Sequence, residues 1–158
     1  MVMTRVEHRI QGILKHEQHE GSYTMKIIEQ MVQDADDRFW GLLGCKLIQA
    51  TENKVTVSMI AEKKHTNSMG IIHGGVLSSL MDQTMGMVAV ASKQSDNCVT
   101  TNLNVHYLAP MHEGELLVTA EVIHEAGRSL TTRAEVKNAD GVLGCMATAS
   151  FRLVKPKK

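Results

Sequence analysis

The chain has 158 residues, of which 43% are hydrophobic and 22% are charged, and this length and composition are ordinary for one globular domain. Seventeen Lys and Arg residues balance 17 Asp and Glu residues, so the overall charge favours neither nucleic acid nor a membrane surface as a partner. No run of about 18 apolar residues and no signal-peptide pattern occurs. We therefore expect a cytoplasmic protein.

Residues 1–40 are predicted to form a helical N-terminal extension. Apolar residues have helical spacing over residues 4–20 and again from Thr24 to Trp40. One face of the second stretch contains Met25, Ile28, Met31, Val32, Ala35 and Phe39. Five Lys and Arg against seven Asp and Glu in residues 1–40 give the wrong sign of charge for a DNA-binding module, so we expect a role in packing or oligomerisation.

From Gly44 onward the pattern changes to the two-residue alternation of β-strands. Two strands, Cys45–Ala50 and Lys54–Ala61, are predicted to form a hairpin. Four more strands follow a central helix, and Asp140-Gly141 is a good hairpin turn between the last two. These four are predicted at Cys98–Leu108, Leu116–Glu125, Leu130–Lys137 and Val142–Leu153.

The central helix is predicted from Gly75 to about Ser92, where apolar residues fall on nearly every side. Such a helix is normally buried. One stripe along it has small or polar residues, namely Gly75, Ser78, Ser79, Asp82 and Gly86. A buried carboxylate is costly unless it is paired, hydrogen-bonded or used in chemistry. Asp82 is therefore either a satisfied core residue or a functional one.

The sequence His73-Gly74-Gly75 stands at the predicted start of this helix. Free N–H groups and the positive end of the helix dipole are located there, and glycine allows a ligand to approach the main chain closely. A carbonyl placed at this point would have its developing negative charge stabilised by the Gly74 N–H, as in an oxyanion hole.

Two strands, one buried helix and four further strands with short connections predict an α+β fold. In it, one curved antiparallel sheet of five to six strands wraps around one long central helix. We assign this domain to residues 41–154 and a basic C-terminal tail to residues 155–158. Cys45, Cys98 and Cys145 form no CxxC pair, so we expect buried free thiols and no metal site.

Asn67 lies six residues before His73-Gly74-Gly75, and Asp82 lies nine residues after that histidine. This arrangement resembles the signature of hot-dog-fold acyl-CoA thioesterases of the PaaI-like type. The segment Thr100–Pro110 is similar to the family strand that ends in an aromatic residue and a proline. The resemblance covers roughly residues 42–153 and implies an acyl-CoA substrate without a cofactor. It also implies a homodimer whose two sheets join and whose active sites are shared, often paired again into a tetramer.

The resemblance also implies roles for individual residues. Asp82 of the facing subunit is expected to be the catalytic carboxylate, either as general base on a water or as a nucleophile that forms an anhydride. Gly74 would supply the oxyanion hole, His73 would orient the carbonyl, and Asn67 would position the water or the carboxylate. Thr100 stands where the family often has a hydroxyl near the attacking water, although an ordinary strand threonine explains it equally well. The expected substrate-binding residues are Gly75, Ser78, Ser79 and Met81.

Three functions remain open at this point. The first is hydrolysis of an acyl-CoA to a free acid and CoA. The second is a hydratase or dehydratase acting on acyl thioesters, whose loops follow a different pattern from His73-Gly74-Gly75. The third is a non-catalytic acyl-CoA-binding regulator, which would be expected to lack the carboxylate of Asp82. The acyl group itself, whether aryl, medium-chain or long-chain, is not determined by the sequence.

Overall fold

The structure, a computed structural model, describes residues 23–94 and 97–154. The helix predicted at residues 4–20 and the basic tail at 155–158 lie outside the described residues. The described residues contain three α-helices and one short 3-10 helix, namely α1 (residues 23–33), α2 (Phe39–Leu43), the 3-10 helix Lys63–His65, and α3 (Gly74–Lys93). The six strands are β1 (Cys45–Ala50), β2 (Lys54–Ala61), β3 (Asn97–Tyr107), β4 (Gly114–Ala126), β5 (Ser129–Asn138) and β6 (Leu143–Val154).

The strands form one antiparallel sheet in the order β1-β2-β4-β5-β6-β3. Helix α3 packs against all six strands, so the sheet provides one wall of a core whose centre is the helix. The alternation in the sequence explains this packing, because every second side chain of β6 is buried, namely Cys145, Ala147, Ala149, Phe151 and Leu153. The predicted α+β hot-dog fold is confirmed, with six strands.

Helix α3 is buried over most of its length, as the sequence predicted. Every residue from Thr84 to Ala91 is buried. The helix begins after His73, which has extended backbone angles, and it ends at Gln94, which adopts the left-handed conformation. Among the described residues, no helix is both long enough and apolar enough to span a membrane.

The predicted continuous helix from Thr24 to Trp40 is wrong in its second half. Helix α1 ends at residue 33, a turn covers residues 34–38, and α2 starts at Phe39. The turn contains three aspartates, a residue type that competes with helical hydrogen bonding. Because the break changes the helical phase, Phe39 is 51% exposed and Trp40, at 2% exposed, is the residue that packs into the core.

Strand β3 forms one edge of the sheet and pairs only with β6 among the described residues. Several large apolar side chains along this edge or directly after it are about half exposed, namely Val99, Tyr107 and Leu108. An unpaired edge strand with exposed apolar residues is a ready template for pairing with another chain.

Candidate active site

The first turn of α3 leaves one backbone amide open. The His73 Nδ1 atom accepts a hydrogen bond from the Gly75 N–H at 2.9 Å, and the His73 carbonyl accepts from the N–H groups of Val76 and Leu77. A neutral histidine whose Nδ1 accepts must carry its proton on Nε2. Among the described residues, the Gly74 amide is the only one of this turn without an acceptor. The open N–H thus belongs to the glycine that sequence reasoning assigned to the oxyanion hole.

Tyr107, at the end of β3, packs directly on Gly74. Its hydroxyl donates to the Gly74 carbonyl at 3.0 Å and lies 2.6 Å from Ser78 Oγ, which itself is 2.9 Å from that carbonyl. A Cβ added to Gly74 would stand 3.1 Å from the tyrosine ring. The two hydroxyls therefore hold the peptide that follows the open amide. Sequence reasoning noted Tyr107 only as a strand residue, since nothing in the local pattern indicates that its ring reaches α3.

Asn67 stabilises the loop that precedes α3. Its side-chain Oδ1 accepts hydrogen bonds from the N–H groups of Met69 at 2.9 Å and Ile71 at 3.4 Å. The amide nitrogen Nδ2 keeps its two donors for a ligand or a water. Asn67 and Gly74 share a cavity of about 330 Å³ with Leu77, Tyr107 and Pro110.

Asp82 lies about two turns after Gly74 on α3 and forms a direct contact with Thr100 of β3. The Thr100 hydroxyl donates to Asp82 Oδ1 at 2.8 Å. Asp82 is half-buried and Thr100 is exposed, so the pair borders solvent and is not a sealed core interaction. Its other carboxylate oxygen, Oδ2, accepts no hydrogen bond from any described residue, and the Thr100 oxygen retains lone pairs for a water.

A β-bulge in β3 aims Thr100 at the helix. In the pairing with β6, Thr100 stands opposite Phe151 and Asn102 opposite Ser150, so Thr101 is an extra residue. Residues in register point to the same side of a sheet, and Phe151 is buried beneath α3. The alternation that places Leu103 and Val105 inward would place Thr101 inward too, but the bulge moves Thr100 there instead. Bulges often re-aim a side chain next to an active site.

A second cavity, of about 190 Å³, opens beside the Asp82 and Thr100 pair. Gly86 and Phe151 line it from α3 and β6, and residues of the N-terminal region close it on another side. A larger open groove of about 1130 Å³ runs along α1 but contains none of the predicted site residues.

The two halves of the candidate site lie apart within one chain. Gly74 and Asp82 are eight residues apart on one helix, which corresponds to about 12 Å along the axis and a rotation of about 80°. They also border different cavities. Hence a single protomer does not bring the open amide and the carboxylate to the same carbonyl group.

The expected substrate-binding residues differ in their placement. Ser78 belongs to the Gly74 cluster described above, and the Ser79 hydroxyl donates to the Gly75 carbonyl at 2.7 Å. Met81 is fully buried, and its sulfur lies 3.9 Å from Cys145 Sγ. It lies four residues from both Leu77 and Met85 and so shares their core-facing side of the helix. Met81 lines neither cavity, so its placement supports a packing role.

The three cysteines are free, as expected; two are buried and Cys98 is partly buried. Burial raises the pKa of Cys45 and Cys145 to about 12. Burial, and secondarily the nearby Asp82 charge, raise the pKa of Cys98 to about 11. A thiol with such a pKa stays protonated at neutral pH and is a poor nucleophile. No group of three or more His, Cys, Asp or Glu side chains with metal-binding geometry occurs in the described part of the chain.

Comparison with known proteins places this site in a family context. The sequence pattern of the Thioesterase superfamily matches residues 69–145, which include the Gly74, Asp82 and Thr100 positions. A protein of Saccharolobus solfataricus that carries a provisional name as an esterase is 29% identical over 133 residues, covering 84% of this chain and 94% of the relative. Human acyl-coenzyme A thioesterase 13 is 29% identical over 93 residues, covering 58% of this chain and 66% of the relative.

Solved structures agree with the observed fold. The E. coli PaaI protein from the phenylacetic acid degradation operon superimposes with a TM-score of 0.79 at 20% identity, covering 85% of this chain and 95% of PaaI. Zebra fish thioesterase superfamily member 2 superimposes with a TM-score of 0.73 at 24% identity, covering 80% and 96% respectively. At these identities the likeness supports the fold and not a particular substrate.

Proposed function

We propose, from the premise that the chain belongs to the thioesterase superfamily and is a thioester hydrolase, that it hydrolyses an acyl-CoA with Asp82 as the catalytic carboxylate. The observation that carries this proposal is the hydrogen bond from Thr100 to Asp82 at 2.8 Å. This bond leaves the second carboxylate oxygen without a donor among the described residues, and both residues line the same cavity. A water held between them would be activated next to a bound thioester.

In the proposed reaction, the thioester carbonyl accepts a hydrogen bond from the Gly74 amide at the N-terminus of α3. Asp82 removes a proton from the water as the water oxygen attacks the carbonyl carbon. The negative charge that develops on the carbonyl oxygen is stabilised by the Gly74 N–H and the helix dipole. Collapse of the tetrahedral intermediate breaks the carbon–sulfur bond and releases the free acid and CoA, whose thiolate takes up the proton.

His73 and Asn67 support the Gly74 side of the site. His73 fixes the first turn of α3 through its Nδ1 and presents Nε2–H as a donor. Asn67 fixes the loop through Oδ1 and presents the two donors of Nδ2. Either donor set would orient the thioester or the attacking water. Tyr107 and Ser78 are positioning residues, because they act through the Gly74 carbonyl.

The site is proposed to be shared between two subunits of a homodimer. The separation of about 12 Å between Gly74 and Asp82 along α3 supports a carboxylate that comes from a second copy. The unpaired edge of β3, with Val99, Tyr107 and Leu108 exposed, supports pairing of the two sheets edge to edge. We also propose that two such homodimers pair into a tetramer.

Residues 41–154 are proposed as the catalytic domain and residues 1–40 as an extension that packs on it. The contact of Ile28 and Trp40 with the core supports the second assignment. Three free cysteines suit a reducing compartment, so a cytoplasmic location is also proposed.

The test is the release of free thiol from a panel of aryl-CoA and fatty acyl-CoA esters by wild type and Asp82→Asn. Asparagine keeps the shape and can still accept from Thr100, but it neither takes a proton nor attacks. We expect wild type to hydrolyse some esters and the variant to lose at least about a hundredfold in rate. An equally active variant would exclude Asp82 as the catalytic carboxylate.

A single turnover in water labelled with oxygen-18 distinguishes general-base catalysis from an anhydride that water opens at the aspartyl carbon. A general base directs the labelled water oxygen into the acid product in the first turnover. A nucleophile instead forms an anhydride, whose hydrolysis at the aspartyl carbon delivers an unlabelled carboxylate oxygen to the first product. We expect labelled product, since in the proposed site a water that contacts both Asp82 and the Thr100 hydroxyl oxygen is the attacking group.

A further inference from the structure

We propose that the N-terminal helices α1 and α2 close the cavity beside Asp82 and so limit the size of the acyl group that is hydrolysed, a role that rests on the proposed function above. Met31 and Ala35, at the end of α1 and in the turn after it, and Trp40 of α2 line this cavity together with Asp82 and Thr100. These three residues lie outside the segment that the superfamily pattern matches.

The position of the cavity identifies the part of the substrate that would enter it. The carbonyl carbon of the thioester must come within reach of a water at Asp82. The part of the substrate that is bonded to this carbon and lies on the side of Asp82 therefore enters the cavity. No Lys or Arg lines the cavity within the described residues, and Asp82 is its one charged group. Phosphates of CoA would be repelled there, whereas an apolar acyl group fits a lining of Met31, Trp40 and Phe151.

The size of the cavity sets the limit. Its volume is about 190 Å³, and a protein cavity of about 150 Å³ is known to hold one benzene ring. The space therefore admits an acyl group of about one ring with one or two further carbons. A long unbranched acyl chain would have to displace the side chains that close the cavity.

The residues that close the cavity differ in how easily their side chains can move. Trp40 is 2% exposed and belongs to the core, so it forms a fixed wall. Met31 is only partly buried, and its unbranched side chain has three rotatable bonds. Met31 is therefore the residue whose removal should lengthen the cavity without opening the core.

Gly86 offers the opposite change from the floor of the cavity. A Cβ on Gly86 would meet Phe151 at 3.4 Å and Cys98 Sγ at 3.7 Å, which are ordinary contact distances. Gly86→Ala should thus reduce the free volume without disturbing the fold. Gly86 lies in the buried middle of α3, and in a helix interior alanine has a higher helix propensity than glycine.

The experiment measures kcat/KM for a series of acyl-CoA esters, from acetyl through one-ring aryl groups to long straight chains. The variants are Met31→Ala and Gly86→Ala. Met25→Ala is the matched control, because Met25 lies on the same helix, is also partly buried and lines none of the cavities described above. Alanine is the best helix former, so α1 is kept in all three proteins.

Wild type should prefer ring-sized groups, and Met31→Ala should raise the ratio of long-chain to ring-sized kcat/KM at least about tenfold. Gly86→Ala should lower the rate for the largest accepted groups, and Met25→Ala should keep the wild-type profile. An unchanged profile in Met31→Ala, or an equal shift in Met25→Ala, would overturn the size-limiting role of α1.

The same series as non-hydrolysable S-alkyl and S-arylalkyl CoA thioethers gives dissociation constants for wild type and the two cavity variants. These constants test the cavity separately from the chemistry. A size preference in binding that Met31→Ala shifts, together with no hydrolysis by wild type, would refute the proposed function and keep the cavity assignment. Binding without any size preference would refute the cavity assignment, whether or not hydrolysis occurs.

Discussion

Replacement of Gly74 by proline removes the one backbone donor that the proposed oxyanion hole needs. Gly74 is the first residue of α3, a position where proline is favoured because its N–H has no intrahelical partner. The preceding residue must then be extended, and His73 already has φ −61° and ψ 133°. The helix should therefore form normally in Gly74→Pro.

The matched control is Gly74→Ala. Its Cβ meets the Tyr107 ring at 3.1 Å, as the Cβ of proline would, so the control reproduces this contact of the proline variant with Tyr107. Only the proline variant lacks the N–H. Loss of one oxyanion donor costs about 10²–10³ in kcat, and we expect that difference between Gly74→Pro and Gly74→Ala.

The assay is thiol release from the best ester of the panel, with thermal unfolding as a check that both variants fold. Equal kcat values for the proline and alanine variants would refute the assignment of the Gly74 amide. In that case the drop relative to wild type would come from the displacement of Tyr107 alone.

Three further predictions concern single side chains. Thr100→Val should lower kcat by about tenfold or more, since a hydrogen bond to a charged group is worth about 1.5–3 kcal/mol. Thr101→Val loses only a bond to the Ser150 carbonyl and should keep the wild-type rate. Equal effects of the two substitutions would contradict the assignment of Thr101 as the bulge residue. Tyr107→Phe should destabilise the fold by about 1 kcal/mol and should lower kcat by a larger factor than it changes KM. Tyr23→Phe, at an exposed tyrosine, should have neither effect. An unchanged kcat in Tyr107→Phe would show that Tyr107 is not a positioning residue. His65 is 6% exposed with Nε2 unpartnered among the described residues, and burial, with help from Lys64, lowers its pKa. Near and below pH 6.5 the folded state therefore binds fewer protons at His65 than the unfolded state does. The stability that neutral His65 gives the folded state is fully present above the unfolded pKa of about 6.5 and is lost as the pH falls through the lower folded pKa. Urea unfolding at pH 7.5 and pH 5 should show a smaller acid loss in His65→Asn than in wild type, and equal losses would exclude His65 as a source of the pH dependence.

The sequence predicted the helix and the strands well because their periodicities are strong and local. Helix α3 is apolar nearly all round, and β6 alternates in burial from Cys145 to its end, so burial follows directly from spacing. The bounds of β1 and β2 also agree with the prediction, although burial does not alternate along these two strands.

The features that sequence reasoning missed depend on single-residue irregularities and on tertiary contacts. An alternating pattern has no means of showing that Thr101 is a bulge and that Thr100 therefore faces Asp82. The turn between α1 and α2 changed which aromatic residue is buried, Trp40 in place of Phe39. The contact of Tyr107 with Gly74 joins residues 33 positions apart.

Mixing two inactive variants tests the shared acyl-CoA hydrolase site most directly. Asp82→Asn and Gly74→Pro are unfolded together, refolded at equal concentrations and assayed for thiol release. If each site takes Gly74 from one subunit and Asp82 from its partner, half of the dimers are mixed and each mixed dimer has one intact site. About a quarter of the wild-type activity should return, far above that of either variant alone. Recovery no greater than the average of the two variants, with dimers present, would contradict a site built across two subunits.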